Sequence, residues 1–145
     1  MKVFNKRASF DYVLTPEKVE GGLVLKGIEA KAFRDGRANL SSSYVKIMNG
    51  EVFLINANIP VENANKYDST RIRKILLHKN EIIALETKMK QKKLQIVPIS
   101  MYNKGRKIKI EIALGKSKKE FQKKESIKEK DIQRDIERDF RGKDY

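Results

Sequence analysis

A run of eight residues, Lys107–Leu114, restricts the possible folds more than any other part of the chain. Its apolar members Ile108, Ile110 and Ile112 alternate with charged residues. Side chains of a β-strand point to opposite faces in turn, so this period predicts a strand with one buried face. The apolar segment Leu94–Tyr102 lies four residues earlier and predicts an antiparallel partner strand.

A second hairpin is indicated by Asn49-Gly50, which separates Tyr44–Met48 from Val52–Asn56. Asn-Gly is the preferred pair for a type I′ turn because both residues tolerate a positive φ. A third, looser strand pair is predicted at Phe10–Leu14 and Gly22–Lys26. Six antiparallel strands around one core predict a small closed barrel, since closure removes exposed edges.

Two helices are expected between the strands. Ile28–Arg34 is followed by Asp-Gly, which suits the end of a short helix. Lys79–Lys92 carries apolar residues near helical spacing. Residues 58–70 contain proline and several asparagines and are predicted to form a loop.

Composition changes near Gly115 and divides the chain into a body, residues 1–114, and a tail, residues 115–145. The tail has 11 Lys/Arg and 8 Asp/Glu, a net charge of +3, whereas the body has 22 and 11, a net charge of +11. Ile132, Ile136 and Phe140 form only a thin apolar stripe along the tail. We expect a tail that is disordered alone and helical when bound; a permanently solvated charged helix is the alternative.

The formal net charge of +14 on 145 residues indicates a polyanionic partner, such as nucleic acid, an anionic membrane or an acidic protein. The chain has no cysteine, which excludes thiolate metal sites and a cysteine nucleophile. The N-terminus lacks the apolar run of a signal peptide, and the longest apolar runs are far shorter than the ~20 residues of a membrane span. A cytoplasmic protein is therefore expected.

Catalytic chemistry is poorly represented in the sequence. His78 is the only histidine, and it precedes a predicted helix, where a packing or capping role is more common. Glu20 and Glu29 are lone carboxylates without an acid/base partner, and no nucleotide-binding or nucleophile motif occurs. We expect no enzyme activity, no metal and no cofactor.

Basic residues of the body fall in three clusters, and their sum suggests RNA binding. Guanidinium groups bind phosphates through two donors and stack on bases. Any single cluster is equally well explained as a solvated surface. The clusters are Lys6-Arg7; Lys31, Arg34 and Arg37; and Arg71, Arg73 and Lys74. Two aromatics, Tyr67 in the loop and Phe121 in the tail, have no obvious core to join and could stack on bases.

Two long sequence blocks resemble the SmpB family. The first is Gly27-Ile28-Glu29-Ala30-Lys31-Ala32-Phe33-Arg34-Asp35-Gly36-Arg37-Ala38-Asn39-Leu40, and the second is Asp68-Ser69-Thr70-Arg71-Ile72-Arg73-Lys74-Ile75-Leu76-Leu77-His78. Asn5-Lys6-Arg7-Ala8 before them, and Lys107-Ile108-Lys109-Ile110 with Gly115-Lys116 after them, continue the resemblance nearly from end to end.

The resemblance implies an oligonucleotide-binding-like (OB-like) barrel that binds transfer-messenger RNA (tmRNA) in bacterial ribosome rescue. The barrel would hold the tRNA-like end of tmRNA, and protein and RNA together would imitate a tRNA in the ribosomal A site. The tail would enter the empty mRNA channel beside small-subunit rRNA and become helical there. Trans-translation would then tag the peptide for degradation and release the ribosome, with elongation factor Tu as an indirect partner on aminoacylated tmRNA.

Site residues follow from the basic clusters and from matching positions. Glu20, Leu76 and Lys107 match family positions linked to tmRNA binding, and Asn5, His78 and the Gly21-Gly22 turn lie beside them. The expected tmRNA-binding residues are Asn5, Lys6, Arg7, Glu20, Gly22, Lys31, Arg34, Arg37, Arg71, Arg73, Lys74, Leu76, His78 and Lys107. The expected ribosome-binding residues of the tail are Lys116, Lys118, Lys119, Phe121, Lys123, Lys124, Lys128, Lys130, Arg134 and Phe140.

The tail departs from the family pattern near its start, where Gln122 replaces an aspartate and Lys124 replaces an arginine and loses its forked donor geometry. It departs again near its end, where Asp139-Phe140 replaces a more apolar pair. The leading alternative for the whole chain is a ribosomal protein or general RNA chaperone, which composition alone does not exclude. A membrane-surface helix would need a wider apolar face than the tail has. A nuclease would need a metal site or an acid/base pair.

Overall fold

The computed structural model describes residues 1–61 and 67–118. Seven strands and three helices follow one another along these residues. In chain order they are β1 (Lys2–Phe4), α1 (Ala8–Asp11), β2 (Tyr12–Leu23), α2 (Gly27–Arg34), β3 (Tyr44–Met48), β4 (Glu51–Ile55), β5 (Arg73–Leu76), α3 (Lys79–Lys92), β6 (Gln95–Lys104) and β7 (Lys107–Ser117). The expected mainly β class with accompanying helices is confirmed.

The strands form one antiparallel sheet in the order β1-β6-β7-β2-β5-β4-β3. Within the described residues no ladder joins the two edge strands, so the expected closed barrel of six strands is not what the sheet forms. The sheet is nevertheless curled, since Cα atoms of β3 come within 8 Å of Cα atoms of β6. Curling brings the two halves of the sheet around one core without a closing set of hydrogen bonds.

The hairpin prediction at Asn49-Gly50 is confirmed. Both residues have positive φ, 53° and 75°, as a type I′ turn requires. The turn sets a register in which Met48 pairs with Glu51 and Tyr44 pairs with Ile55. Helix α3 has the expected bounds, and α2 begins one residue earlier than expected.

The expected strand pair at 10–14 and 22–26 was wrong. Phe10 belongs to α1, and one twelve-residue strand, β2, occupies most of the region. Its pairing with β7 shifts register between Leu14 and Lys18, around Pro16, which has no N–H to donate. The long partner strand β7 holds both ends of β2, so the proline marks an irregularity and not a turn.

The core fills the concave side of the sheet. Ile110, Ile112, Val52 and Leu54 are fully buried there, and Phe33 closes the core from α2. In the described parts of the predicted loop, 58–61 and 67–70, only one isolated bridge occurs, between Asn39 and Asn58. Strand β7 runs to Ser117, three residues past the expected end of the body.

Candidate nucleic-acid interface

A basic cleft of about 550 Å³ opens where β2, β5 and β7 meet the start of α3. Its walls combine apolar side chains with three cations. The lining residues are Gly22, Leu23, Leu25, Ala30, Leu76, Leu77, His78, Arg106, Lys107, Ile108 and Lys109. A concave surface of this composition can hold phosphates on the cations and a ribose or base on the apolar wall.

Four of the expected tmRNA-binding residues meet in this cleft: Gly22, Leu76, His78 and Lys107. They come from β2, β5, the α3 N-terminus and β7. Strand register explains the meeting, because Gly22 lies opposite Leu76 on one side and Lys109 on the other. Leu76 is 54% exposed, so its side chain is available to a ligand and is not a core residue.

Arg106 and Lys109 also line the cleft and were not expected there from the sequence. The signal for Lys109 was present, since it is two residues from Lys107 and shares its face of the strand. Arg106 lies in the two-residue turn between β6 and β7, where Lys104 pairs with Lys107. Its position depends on the register of that hairpin.

The Gly21-Gly22 pair was expected to form a turn, but it lies within strand β2. A Cβ on Gly21 would lie 2.8 Å from side-chain carbons of both Ile75 and Leu77, too close to accommodate. A Cβ on Gly22 would make ordinary contacts, 3.7 Å from the Leu76 Cβ and 3.9 Å from the Lys109 Nζ. Gly21 therefore allows β2 and β5 to pack closely against each other. Gly22 leaves the bottom of the cleft free of a side chain.

Glu20 is held by neighbours on the outer face of the sheet. The Tyr102 hydroxyl donates a hydrogen bond to one carboxylate oxygen, and the Lys104 Nζ lies 3.3 Å from the other. The Tyr102 hydrogen bond, with the nearby lysines, lowers the pKa of Glu20. The carboxylate is thus ionised and orders the side chains around it.

The first basic cluster lies at a separate site. A polar cavity of about 300 Å³ is lined by Asn5, Arg7, Asp11, Tyr12, Ser41, Ser42, Ser43 and Tyr44. The Asn5 side chain donates to the Pro98 carbonyl (2.8 Å), which ties β1 to β6. Arg7 pairs with Asp11 at 3.1 Å and covers the Phe10 ring. Lys6 is exposed beside them, and none of the three lines the cleft.

The second cluster lies on and after α2. Arg34 donates to the Arg106 carbonyl at 3.4 Å, which places it beside the β6–β7 turn at the cleft rim. Lys31 is exposed on the same helix, and Arg37 is half-buried beyond it. These residues extend the positive surface around α2 without lining the cleft.

The third cluster is largely structural, and Arg73 is the main correction. Its side chain and that of Glu29 are both 0% exposed, with Arg73 Nη2 2.6 Å from a Glu29 carboxylate oxygen. Arg73 also donates to the Ala57 and Ser69 carbonyls at 2.6 and 3.1 Å. A buried guanidinium with these partners does not face RNA. Arg71 also pairs with Glu29 but keeps part of its surface exposed.

The same network corrects the reading of Tyr67 as a free stacking aromatic. The Tyr67 hydroxyl donates to Glu29 at 2.8 Å and receives a hydrogen bond from Arg73 at 3.0 Å. Burial alone would raise the pKa of Glu29. Hydrogen bonds from Arg71, the Lys26 backbone, Arg73 and Tyr67 outweigh it and lower that pKa from 4.5 to about 2. Glu29 is therefore an ionised carboxylate inside the fold at neutral pH.

The remaining body residues have simple placements. Lys74 is exposed and pairs with Glu51 at 3.2 Å. It lines a groove of about 480 Å³ that shares Leu76 and Leu77 with the cleft. His78 precedes α3, where its backbone N–H donates to Glu81 at 3.0 Å. The helix start thus fixes His78 at the edge of the cleft.

Two residues assigned to the tail belong to the folded body. Lys116 lies in β7, opposite Val13. The Lys118 backbone N–H donates to the Asp11 carbonyl at 2.9 Å, and its Nζ donates to the Ser9 carbonyl at 2.7 Å. The other expected tail residues lie outside the described part of the chain: Lys119, Phe121, Lys123, Lys124, Lys128, Lys130, Arg134 and Phe140.

Among residues 1–61 and 67–118, no group of three or more His, Asp or Glu side chains could hold a metal ion. In the same ranges, no helix is long and apolar enough to cross a membrane. The basic cleft is the candidate functional surface because four of the expected tmRNA-binding residues line it.

Comparison with known proteins identifies the family. The SmpB protein family model matches residues 2–142. An SsrA-binding protein of Sulfurihydrogenibium sp. is 49% identical over 142 residues, covering 96% of this chain and 93% of the relative. The SsrA-binding protein of Bacillus subtilis is 45% identical and covers 94% of this chain and 89% of the relative.

A solved structure described as "tmRNA-SmpB: a journey to the center of the bacterial ribosome" has a similar fold. It superposes with a TM-score of 0.66 at 36% identity, covering 82% of this chain and 85% of that chain. The family match and the relatives both extend over nearly the whole length. The chain therefore belongs to the SmpB family.

Proposed function

We propose that this protein binds tmRNA and brings it to stalled bacterial ribosomes for trans-translation. The observation that carries the proposal is the convergence of Gly22, Leu76, His78 and Lys107 on one basic cleft. These residues come from separated parts of a chain of the SmpB family. The relatives named above are SsrA-binding proteins, and SsrA is tmRNA.

The cleft is suited to a folded RNA surface. Arg106, Lys107 and Lys109 supply positive charge for phosphates, and arginine can bind one phosphate through two donors. Leu76 supplies an apolar wall for a ribose or base. Arg34 extends the positive surface from the rim. The cleft with these features would bind the tRNA-like end of tmRNA.

The curled sheet acts as an OB-like platform. Small, partly open barrels often bind oligonucleotides on one strand face, and the approach of β3 to β6 gives this sheet a related shape. Binding and not catalysis is the proposed role, and the site needs no metal or cofactor. The protein would act in the cytoplasm, where ribosomes are.

Residues 119–145 would act on the ribosome. With the tRNA-like end, the body would occupy the A site like a tRNA. The charged tail would enter the mRNA channel along small-subunit rRNA only when a truncated message leaves it empty. Aminoacylated tmRNA would arrive with elongation factor Tu. Selection of stalled ribosomes then follows from competition between tail and message for one channel.

We expect the Lys107→Ala variant to bind tmRNA about tenfold more weakly than the wild type near 0.1 M salt. One lost phosphate contact should also reduce the slope of log affinity against log salt by about 1. Lys90→Ala is the matched control, because it removes the same charge from an exposed position on α3 outside the cleft. Equal losses in both variants, or none in Lys107→Ala, would contradict a site in the cleft.

A further inference from the structure

The β1 edge of the sheet carries an aromatic pair that the cleft does not use. The Lys2 Nζ lies 4.9 Å from the centroid of the Phe4 ring and 5.4 Å from the centroid of the Tyr102 ring. Phe4 is 59% exposed, and Tyr102 is half-buried. This edge of the sheet thus presents two aromatic rings next to a cation, a combination that can bind both the base and the phosphate of a nucleotide.

Strand register places this pair on the same face as the cleft. Lys2 lies opposite Tyr102, and Tyr102 lies opposite Lys109. Lys109 in turn lies opposite Gly22 on the cleft floor. Residues directly opposite one another share a face, and neighbouring strands are ~4.8 Å apart. Tyr102 is therefore one strand away from the cleft wall, on a surface continuous with it.

The Tyr102 ring is held in a fixed orientation. Its hydroxyl donates to Glu20, and Lys104 pairs with the other oxygen of the same carboxylate at 3.3 Å. Burial and the hydrogen bond to Glu20 raise the pKa of Tyr102 to about 12. The hydroxyl consequently keeps its proton across the physiological range, and the ring is restrained at its far end before any ligand arrives.

We propose that Phe4 and Tyr102 form a stacking platform for unpaired bases of the RNA that the cleft holds. Lys2 and Lys104 would take the adjoining phosphates, and Glu20 would act as a positioning residue for Tyr102. The inference rests on the proposed function. The interleaving of cations with aromatic rings favours RNA over a protein partner, since bases stack on any exposed ring and phosphates meet the lysines between.

A matched pair of substitutions separates stacking from the hydrogen bond. Tyr102→Leu keeps apolar bulk but removes the ring, and we expect it to weaken tmRNA binding roughly 5- to 100-fold. Tyr102→Phe keeps the ring and should bind within about threefold of the wild type. Phe4→Leu should weaken binding like Tyr102→Leu. Phe53→Leu is the control, since Phe53 is a half-buried aromatic residue on β4 that lines neither the cleft nor the polar cavity beside Asn5.

Chemical probing of the bases gives an independent readout. Wild-type protein should protect a small set of unpaired tmRNA bases, and Tyr102→Leu should lose that protection while phosphates bound by the cleft stay protected. Unchanged affinity and protection in both Tyr102→Leu and Phe4→Leu would overturn the platform, as would an equal loss in Phe53→Leu.

The inference and the proposed function can fail separately. Failure of wild-type protein to bind tmRNA would refute the proposed function itself. If the wild type binds tmRNA normally and substitutions at Phe4 and Tyr102 do not change that binding, only the platform is refuted. Thermal unfolding of each variant shows whether it folds, and the exposed Phe4 position keeps the test valid if Tyr102→Leu does not.

Discussion

The Glu29→Ala variant is expected to lose about 3–5 kcal/mol of its free energy of unfolding, measured by urea denaturation. Removing one partner of a buried ion pair leaves the other charge without compensation, and this is the usual range of the cost. In this variant the Arg73 guanidinium, which is 0% exposed, would lose the carboxylate that compensates its charge. The free energy of unfolding of a domain is only about 5–15 kcal/mol. We therefore expect part of the variant to be unfolded at room temperature.

The loss should be large because Glu29 connects several parts of the fold. From α2 its carboxylate accepts hydrogen bonds from Arg71, Arg73 and Tyr67, and through Arg73 the network reaches the Ala57 carbonyl. Segments on both sides of the predicted loop are therefore tied to one side chain. Its removal should loosen the start of β5, which carries Leu76 into the cleft.

The same network predicts an acid dependence. The pKa of Glu29 is lowered from 4.5 to about 2, so the stabilisation is fully present above about pH 5. It is lost as pH falls from there towards 2, because the unfolded chain takes up the proton first. The shift corresponds to about 3 kcal/mol. Glu29→Gln, which cannot titrate, should show a correspondingly smaller loss over this pH window than the wild type.

Glu51→Ala is the matched control for charge removal. Glu51 pairs with Lys74 at 3.2 Å, but both side chains are about half exposed. Pairs of this kind contribute about 0–1 kcal/mol, so the variant should unfold close to the wild type. If Glu29→Ala were no more destabilising than Glu51→Ala, the network would not organise the fold as described.

Removing residues 119–145 should abolish peptide tagging on stalled ribosomes while leaving tmRNA binding within about threefold, under ~1 kcal/mol. The removed segment has 9 Lys/Arg and 8 Asp/Glu, so it takes little of the net charge of +14 with it. Its proposed place is the mRNA channel and not the tmRNA surface. Tagging in a reconstituted translation system and tmRNA affinity of the same preparation measure the two activities.

The point of truncation matters, since β7 continues to Ser117. Removing residues 115–145 would take Gly115, Lys116 and Ser117 away from the start of β2, where they pair with Leu14, Val13 and Tyr12. That longer truncation should lower stability as well as tagging. Tagging by the protein without residues 119–145, or a large loss of tmRNA affinity, would refute the proposed division of labour.

Strands were predictable where the chain alternates and turns have strong local signals. The structures of the Lys107–Leu114 run and of the Asn49-Gly50 turn are determined by their own residues. The strand and the turn predicted there are both confirmed. Strand β5 was missed because its two end residues break the polar–apolar alternation: Arg73 is buried and Leu76 is exposed. A buried charge is stable only with Glu29 opposite it, and that partner is 44 residues away. Barrel closure is likewise a long-range property that no local pattern reports.

The site was predictable only in part. Leu76 and Lys107 were identified from family resemblance, and the structure brings them to one cleft. Counting basic residues misassigned Arg73, since a positive charge in sequence does not reveal whether it is already paired. Lys109 was overlooked although it shares a strand face with Lys107. Arg106 was missed because its approach to the cleft depends on the register of the β6–β7 hairpin.

The most direct test of tmRNA binding is to identify the RNA that copurifies with this protein from its native cells. The affinity-purified full-length protein should carry one abundant RNA with a tRNA-like end, and the Lys107→Ala variant should carry less of it than the Lys90→Ala control. Recovery of bulk rRNA alone, in equal amounts with all three proteins, would contradict the account and favour a general ribosomal or RNA-chaperone role.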